Sequence, residues 1–315
     1  MKASNGASSD YPVLELPQLD ADQAREVHVL AAAADAADGA HPLSESVLLG
    51  LTTAEPDTRH LLVETPQGDL AGYAYLHRAA DGVTAEIVVH PAQRRRGLGR
   101  RLLAAVTERA GSDGDGTGLR IWAHGDHPSA AALAVDLGFD RARLLHQFRR
   151  SLVEPPPEPR LPEGVTLRAF RPGQDDAAWL AVNSRAFAHH PEQGRWTARD
   201  LALRFASPWF DPAGFLLAVR TADDQLLGFH WTKVHDAGEA GGSRIGEVYV
   251  LGVDPQAHGG GLGRALALAG LRHLHERGLD RVMLYVDESN QAAVSLYRRL
   301  GFAPWTGHVQ YHRAG

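Results

Sequence analysis

Short apolar runs and amphipathic helical spacings alternate through the second half of the chain. VTLRAF (165–170) reads as a strand, and DDAAWLAVNSRAFA (175–188) and WTARDLALRFAS (196–207) as helices. GFLLAVR (214–220) and LLGFHWTKVH (226–235) form a hairpin pattern, followed by the strand GEVYVLGV (246–253). A glycine cluster comes next. After it stand a helix over 262–277, the strand RVMLYV (281–286), the helix QAAVSLYRRL (291–300) and a closing strand pair near HVQYHR (308–313). The first half repeats much of this order. It has a hairpin in HLLVETPQGDLAGYAYLHR (60–78), a strand in AEIVVHP (85–91), a glycine loop, a helix, the strand LRIWAH (119–124), a short helix and LLHQFRRSL (144–152). Strands alternating with helices predict an α/β fold with mixed strand pairing, and the recurring order predicts a tandem repeat.

The break between the repeats is chemical. LVEPPPEPRLP (152–162) cannot continue a helix or a central strand and favours an extended connection. It divides the chain into residues 1–151, a proline-rich linker at 152–162, and residues 163–315. DGDGTG (113–118) is a second loop-like segment, but it lies inside the first repeat.

Composition narrows the class without naming it. With 44% apolar and 22% charged residues the 315-residue chain is that of a globular protein of two ordinary domains. A net charge of −6, with Arg94-Arg95-Arg96 as its basic tract, argues against a nucleic-acid partner. No apolar run approaches the ~20 residues that span a bilayer, and the small, polar start MKASNGASSDYP lacks the core of a signal peptide. A cytoplasmic monomer without a membrane partner is expected. Having no cysteine, the chain has no disulfide, Cys-ligated zinc or Cys nucleophile. The histidine pairs 124/127, 273/275 and 308/312 lack an accompanying carboxylate pattern. They read as surface or loop residues, and no metal is expected.

The glycine loop carries the chemistry. In both halves a valine-rich strand end is followed by a proline, six residues later by Gly-Leu-Gly-Arg, and then by a helix. A Walker A loop would need Gly-Lys-Ser/Thr. A dinucleotide fingerprint would need a third glycine where Leu102 and Leu266 stand. Helix entry alone needs one glycine. A cradle for a pyrophosphate needs more: glycines admit main-chain N–H groups close to an anion, and the helix N-terminus adds its dipole. The first loop, from Arg94, has the form R/Q-x-x-G-x-G. The second begins with His258, and Gly259-Gly260 replace the basic pair.

R/Q-x-x-G-x-G/A after a strand, with NQAAVSLYRRLGF (290–302) after the next one, resembles the GNAT N-acetyltransferase superfamily. The resemblance implies two tandem GNAT-like domains, each a mixed, mainly antiparallel sheet flanked by helices, and acetyl-CoA as co-substrate. It implies that Asn290 contacts the cofactor arm and that Tyr297 protonates the departing thiolate, against the plainer reading of Tyr297 as a helix residue packed on the sheet. Aligned on Gly138-Phe139, the first half has His127 for Asn290 and Ala134 for Tyr297. Alanine has no proton to give, so the second domain is expected to be catalytic and the first a cofactor-binding or scaffolding copy.

AFAHHPEQGRWT (186–197), LGFHWTKVH (227–235), GEVYVLGVDP (246–255) and LYVDESN (284–290) together resemble the mycothiol synthases of actinobacteria. That family acetylates the cysteine amine of cysteinyl-glucosaminyl-inositol. The resemblance implies substrate contacts at Glu45, Glu192, Lys233, Glu247 and Tyr285. It implies an acetyl-CoA site at Leu251, Gly252 and Val253, at His258, Gly259, Gly260, Gly261, Leu262, Gly263 and Arg264, and at Asn290, Gln291, Ala292, Ala293, Val294 and Ser295. A second acetyl-CoA would lie at Ile87, Val88 and Val89 with Arg95, Arg96, Gly97, Leu98, Gly99 and Arg100. Glu247 either takes the amine proton, through water, or binds the ammonium. A bulge at Leu251–Val253 would free an N–H to polarise the thioester carbonyl. Rival readings are a GNAT acting on a peptide N-terminus or an aminoglycoside, and a non-catalytic acyl-CoA sensor.

Overall fold

The computed structural model describes residues 11–79, 81–111, 118–190, 193–237 and 243–315. The chain forms two compact units, one of residues up to His146 with Thr306–Gly315 and one of Gln147–Trp305. The last strand therefore does not stay with its own repeat. It is a single strand, β12 (Ala303–Arg313), rather than the expected closing pair, and its residues from Thr306 onward belong to the first unit.

The first unit contains β1 (Val13–Leu16), α1 (Ala21–Asp38), α2 (Glu45–Gly50), β2 (Thr58–Glu64), β3 (Leu70–Ala79) and β4 (Gly82–Val89). It continues with α3 (Leu98–Gly111), β5 (Leu119–Ala123), α4 (Pro128–Asp136) and the start of β6 (Asp140–Ser151). Its strand order is β1-β2-β3-β4-β5-β12. Only β4–β5 is parallel among the registered pairs, because a helix, α3, connects those strands. Helix α1 starts at a capping box, Asp20 with Gln23, and stops at Gly39, whose φ of 69° closes the left-handed cap. Val27, Leu30 and Ala34 of α1 pack with Leu62, Tyr73 and Val88 on one face of the sheet. Leu102 and Val106 of α3 pack with Ala74, Ala85 and Val309 on the other. Burying each such leucine or valine contributes ~1.5–3 kcal/mol.

The second unit contains the end of β6, β7 (Val165–Ala169), α5 (Asp176–Ala186), α6 (Ala198–Phe205), β8 (Phe215–Arg220) and β9 (Leu226–His235). It ends with β10 (Ile245–Val253), α7 (Leu262–Glu276), β11 (Arg281–Asp287) and α8 (Gln291–Arg299). The strand order is β6-β11-β10-β9-β8-β7, again with a parallel pair, β10–β11, at the crossover helix. Trp179 of α5 and Leu201 of α6 pack with Phe215, Phe229 and Trp231 on one face. Leu268 and Leu271 of α7 and Val294 and Tyr297 of α8 pack with Val282, Leu284 and Val286 on the other. The proline-rich stretch lies against α7: Arg272 donates to Pro156 O at 2.8 Å and His275 to Leu152 O at 2.7 Å.

Candidate active site

In each unit the parallel strand pair parts just before the glycine loop. The β10–β11 pairing runs from Gly246↔Val282 to Val248↔Leu284 and is followed by a bulge against β9 between Val248 and Val250. The extra residue is therefore Tyr249. Leu251, Gly252 and Val253, where the bulge was expected, pair in regular register with His230, Phe229 and Gly228. Past Val248 those residues have left the β11 ladder, so the strand edge on that side is open for a ligand's amide groups. In the first unit the pairing of β4 with β5 ends at Glu86↔Trp122, and Ile87, Val88 and Val89 lie beyond it.

The loops that follow are built alike. Pro255 and Pro91 open short 3-10 turns capped by Asp254 and His90. Asp254 is buried, and although burial raises its pKa, the Arg185 guanidinium beside it (3.0 Å to Nε) holds the carboxyl below the usual range. The leading side chain folds back on the strand end in both loops: His258 Nε2 donates to Val253 O at 3.1 Å, and Arg94 Nε to Val89 O at 3.2 Å. Arg94 also grips Asp38 through both guanidinium nitrogens at 2.7 Å. Left-handed φ recurs at matched positions, Arg95 (64°) with Gly259 (97°) and Gly97 (84°) with Gly261 (80°). Such φ values favour glycine, so Arg95 is held in a conformation its partner takes without strain. The first-turn N–H groups of α7 and α3 have no intrahelical partner and face the loop. Leu262 and Leu98 anchor those turns in the cores, with Gly263 and Gly99 beside them. Arg264, Arg95, Arg96 and Arg100 are exposed, and Arg100 is paired with Asp136.

One face of the second sheet carries a polar row where the strands part. Glu247 on β10 stands opposite Lys233 on β9 and Met283 on β11. Its carboxylate is buried and lies 2.6 Å from His235 Nε2. The Lys233 ammonium sits over the rings of Trp209 (4.7 Å) and Tyr249 (5.7 Å). Tyr249 is held in turn by the buried Arg204, which donates to its hydroxyl at 2.6 Å and stacks on Trp196 at 3.7 Å. Tyr285, two residues beyond Met283 on the same face, is 39% exposed and accepts from Gln147 at 2.8 Å, so it is not a core residue. Lys233, Glu247 and Tyr285 are thus brought together. Glu192 lies outside the described residues, and Glu45 opens α2 of the first unit.

Tyr297 is on the opposite face, 7% exposed among Leu300, Phe302 and the apolar residues of α7 and β11. Burial pushes its hydroxyl well above the ordinary tyrosine value. Asn290 is the N-cap of α8, accepting from Ala293 N at 3.1 Å, and Gln291, Ala292, Ala293, Val294 and Ser295 form the first turns of that helix. His127 caps α4 in the same way, accepting from Ser129 N at 3.2 Å, and Ala134 is buried in the first unit's core.

Sequence reasoning missed His235, Arg204, Trp209 and Glu86. The alternation Lys233-x-His235 was a usable signal for the first. Glu86, a charge inside an apolar strand, was another. It is buried at the parting of β4 and β5, 2.6 Å from Ser44 N and 3.4 Å from His124 Nε2. Burial opposes its ionisation, but those partners hold the carboxyl below the usual range. His124 Nδ1 is 3.0 Å from His308 Nδ1; His308 is buried within β12, so it is not the surface or loop residue expected, whereas His124 opens the short turn after β5. No group of three or more potential metal ligands occurs among the described residues.

A parted parallel strand pair and a glycine loop running into a helix N-terminus, the arrangement of an acyltransferase, occur in both units, and the hydroxyl-bearing helix after the next strand occurs in the second. The acetyltransferase (GNAT) family profile matches residues 27–139 and 177–302, and the chain belongs to that family. Similar proteins include the mycothiol acetyltransferase of Salinispora arenicola, 61% identical over 305 residues (96% of this chain, 97% of the relative). That of Thermobispora bispora is 55% identical over 300 residues (95% and 99%). Among solved structures, a GCN5-related N-acetyltransferase from Sphaerobacter thermophilus superposes with a TM-score of 0.69 at 27% identity (96% and 95% covered). A tandem GNAT protein from the clavulanic acid biosynthesis pathway shares the fold with a TM-score of 0.71 at 22% identity (96% and 98%). The chain is an N-acetyltransferase.

Proposed function

We propose that the chain acetylates the cysteine amine of cysteinyl-glucosaminyl-inositol with acetyl-CoA, giving mycothiol, by direct transfer in the second unit. The observation that carries this reading is the row Lys233–Glu247–Tyr285 beside the strand parting, in a chain similar over nearly its full length to mycothiol acetyltransferases. The substrate combines an ammonium with hydroxyls. A carboxylate suits the first, and the ammonium of Lys233 and the hydroxyl of Tyr285 suit the second.

The left-handed glycines at 259–261 leave no side chain over the loop, so a pyrophosphate can reach the N-terminus of α7. The thioester arm enters between β10 and β11, and its carbonyl takes an N–H from Leu251–Val253. Glu247 removes a proton from the ammonium, which has a pKa near 7.7–8.0 when free. The amine nitrogen bonds to the carbonyl carbon, giving an oxyanion; as that collapses the C–S bond breaks and the second nitrogen proton passes to the leaving thiolate, so that the products are the amide and the CoA thiol. Tyr297 keeps its proton at neutral pH because burial disfavours the phenolate. Complete transfer from so weak an acid to a thiolate of ordinary basicity is uphill. Its contribution is therefore largely a hydrogen bond to the sulfur as charge develops. The first unit, with Ala134 at the matching position, binds a second acetyl-CoA at Ile87–Val89 and Arg95–Arg100 without turning it over.

The test is a mass-spectrometric transfer assay with cysteinyl-glucosaminyl-inositol, glucosaminyl-inositol, cysteine and a short peptide, each alone. Efficient acetylation of the first only is expected, with Tyr297→Phe lowering kcat by roughly 10²-fold, at the low end of acid catalysis. Equal turnover of the peptide would refute the substrate assignment.

A further inference from the structure

We propose that His235 is a positioning residue for the base of the second unit: its imidazole fixes the Glu247 carboxylate at the point where β10 and β11 part. The inference rests on Glu247 serving as that base. Glu247 pairs across the strands with Lys233, and His235, two residues further along β9, projects from the same face. Its Nε2 lies 2.6 Å from Glu247 Oε2, with side-chain exposures of 15% and 8%. Because a carboxylate only accepts, the ring must donate through Nε2. A bond of this length between a donor and a charged acceptor is charge-assisted, and burial strengthens it further.

The consequence is directional. One carboxylate oxygen is held by the imidazole, which leaves the other to face the substrate amine or its bridging water. Lys233, which could have taken the carboxylate, instead has its ammonium over the Trp209 and Tyr249 rings. His235 is thus the imidazole that aims the base. Among the described residues, the other ionisable groups on the neighbouring strands are Lys233 on β9, Tyr285 and Arg281 on β11, and Arg149 on β6 beside Tyr285 and Arg281. Asp236, directly after β9, is 3.7 Å from Arg244. No one of these takes the place of the His235 donor 2.6 Å from Oε2.

The experiment measures pH profiles of kcat and kcat/KM for the full chain and for His235→Ala, His235→Gln and Glu247→Gln, with thermal unfolding recorded for each. For His235→Ala the expected result is a 10- to 100-fold fall in kcat. The KM for acetyl-CoA should stay within twofold, because His235 orients the carboxylate and is not proposed to touch the cofactor. His235→Gln, which keeps an N–H donor, should recover most of kcat. The proposal is overturned if His235→Ala leaves kcat unchanged, if kcat falls only together with a rise in the KM for acetyl-CoA or a loss of thermal stability, or if the glutamine variant folds and recovers nothing. Glu247→Gln separates the two levels. If it also keeps kcat, the base assignment fails; if it loses kcat while His235→Ala does not, only the positioning role fails.

Discussion

Burial holds several imidazoles neutral in the folded protein. His230 is fully buried, its Nδ1–H donates to Leu266 O at 2.8 Å, and desolvation pushes its pKa down to about 4. Burial likewise pushes His60 down to about 4, and burial with the nearby His124 pushes His308 to about 3. Below pH ~6.5 the unfolded chain binds a proton on each ring that the folded chain does not take up until pH 4 or lower. Their neutral state therefore supports folding above pH ~6.5, and that support is lost as the pH falls toward 4. Each group contributes a slope of up to about 1.4 kcal/mol per pH unit in that window. Urea unfolding at pH 7.5, 6.0 and 5.0 should show falling midpoints, and a flat series would contradict the assignment. At this scale the sequence was legible where a motif names the residue. Tyr297 is recognisable from its spacing to Gly301-Phe302, and Glu247 from its place before the loop. Local sequence flags Glu86 and His235 but not what they pair with, because their partners are set by strand register and, for Glu86, by a turn 42 residues away.

Helix α7 shows what an element's packing demands. A Cβ at Gly270 would meet His230 Cε1 at 2.1 Å and Nδ1 at 2.2 Å, so the helix lies on β9 only because that position is bare. Gly270→Ala gains about 1 kcal/mol of helix propensity but overpacks the contact, a cost of typically 1–3 kcal/mol, and it strains the His230–Leu266 bond. Net destabilisation is expected in a urea melt, and adding His230→Ala should reverse part of the packing cost. Unchanged stability in the single variant would place the helix elsewhere. The amphipathic run of α7 was readable almost to its ends, 262–277 against the observed Leu262–Glu276. Helix α1 was not read: Val29 is 64% exposed while Val27 and Leu30 are buried, so its apolar residues do not confine themselves to one stripe. The bulge went to Tyr249 rather than Gly252 because Arg204 and the rings of Trp209 and Trp231 hold that tyrosine, all distant in sequence.

For the whole molecule, the telling segment is the last ten residues, which belong to the first unit. From Val309↔Ala123 to Arg313↔Leu119 they pair with β5, and Val309 and Tyr311 are buried in the first unit's core. Deleting residues 306–315 should therefore open the first unit. Hydrogen exchange followed by mass spectrometry should show lost protection in β2–β5, with 163–300 changed far less. Loss confined to β10 and β11 would contradict the unit assignment. The first unit is therefore built from two separate pieces of chain while the second, Gln147–Trp305, is contiguous, and expression of residues 163–315 alone leaves the end of β12 without its neighbour β5.

By itself the sequence determined the repeat, the order of elements in each copy, the two glycine loops, and the asymmetry of Tyr297 against Ala134. Each is written in local spacing, where periodicity, turn residues and helix caps act over a few positions. Tertiary structure alone decided which unit the last strand joins, where β10 bulges, and which side chain holds Glu247. Those depend on register and on packing between segments far apart in the chain, where a difference of one residue moves every side chain to the opposite face.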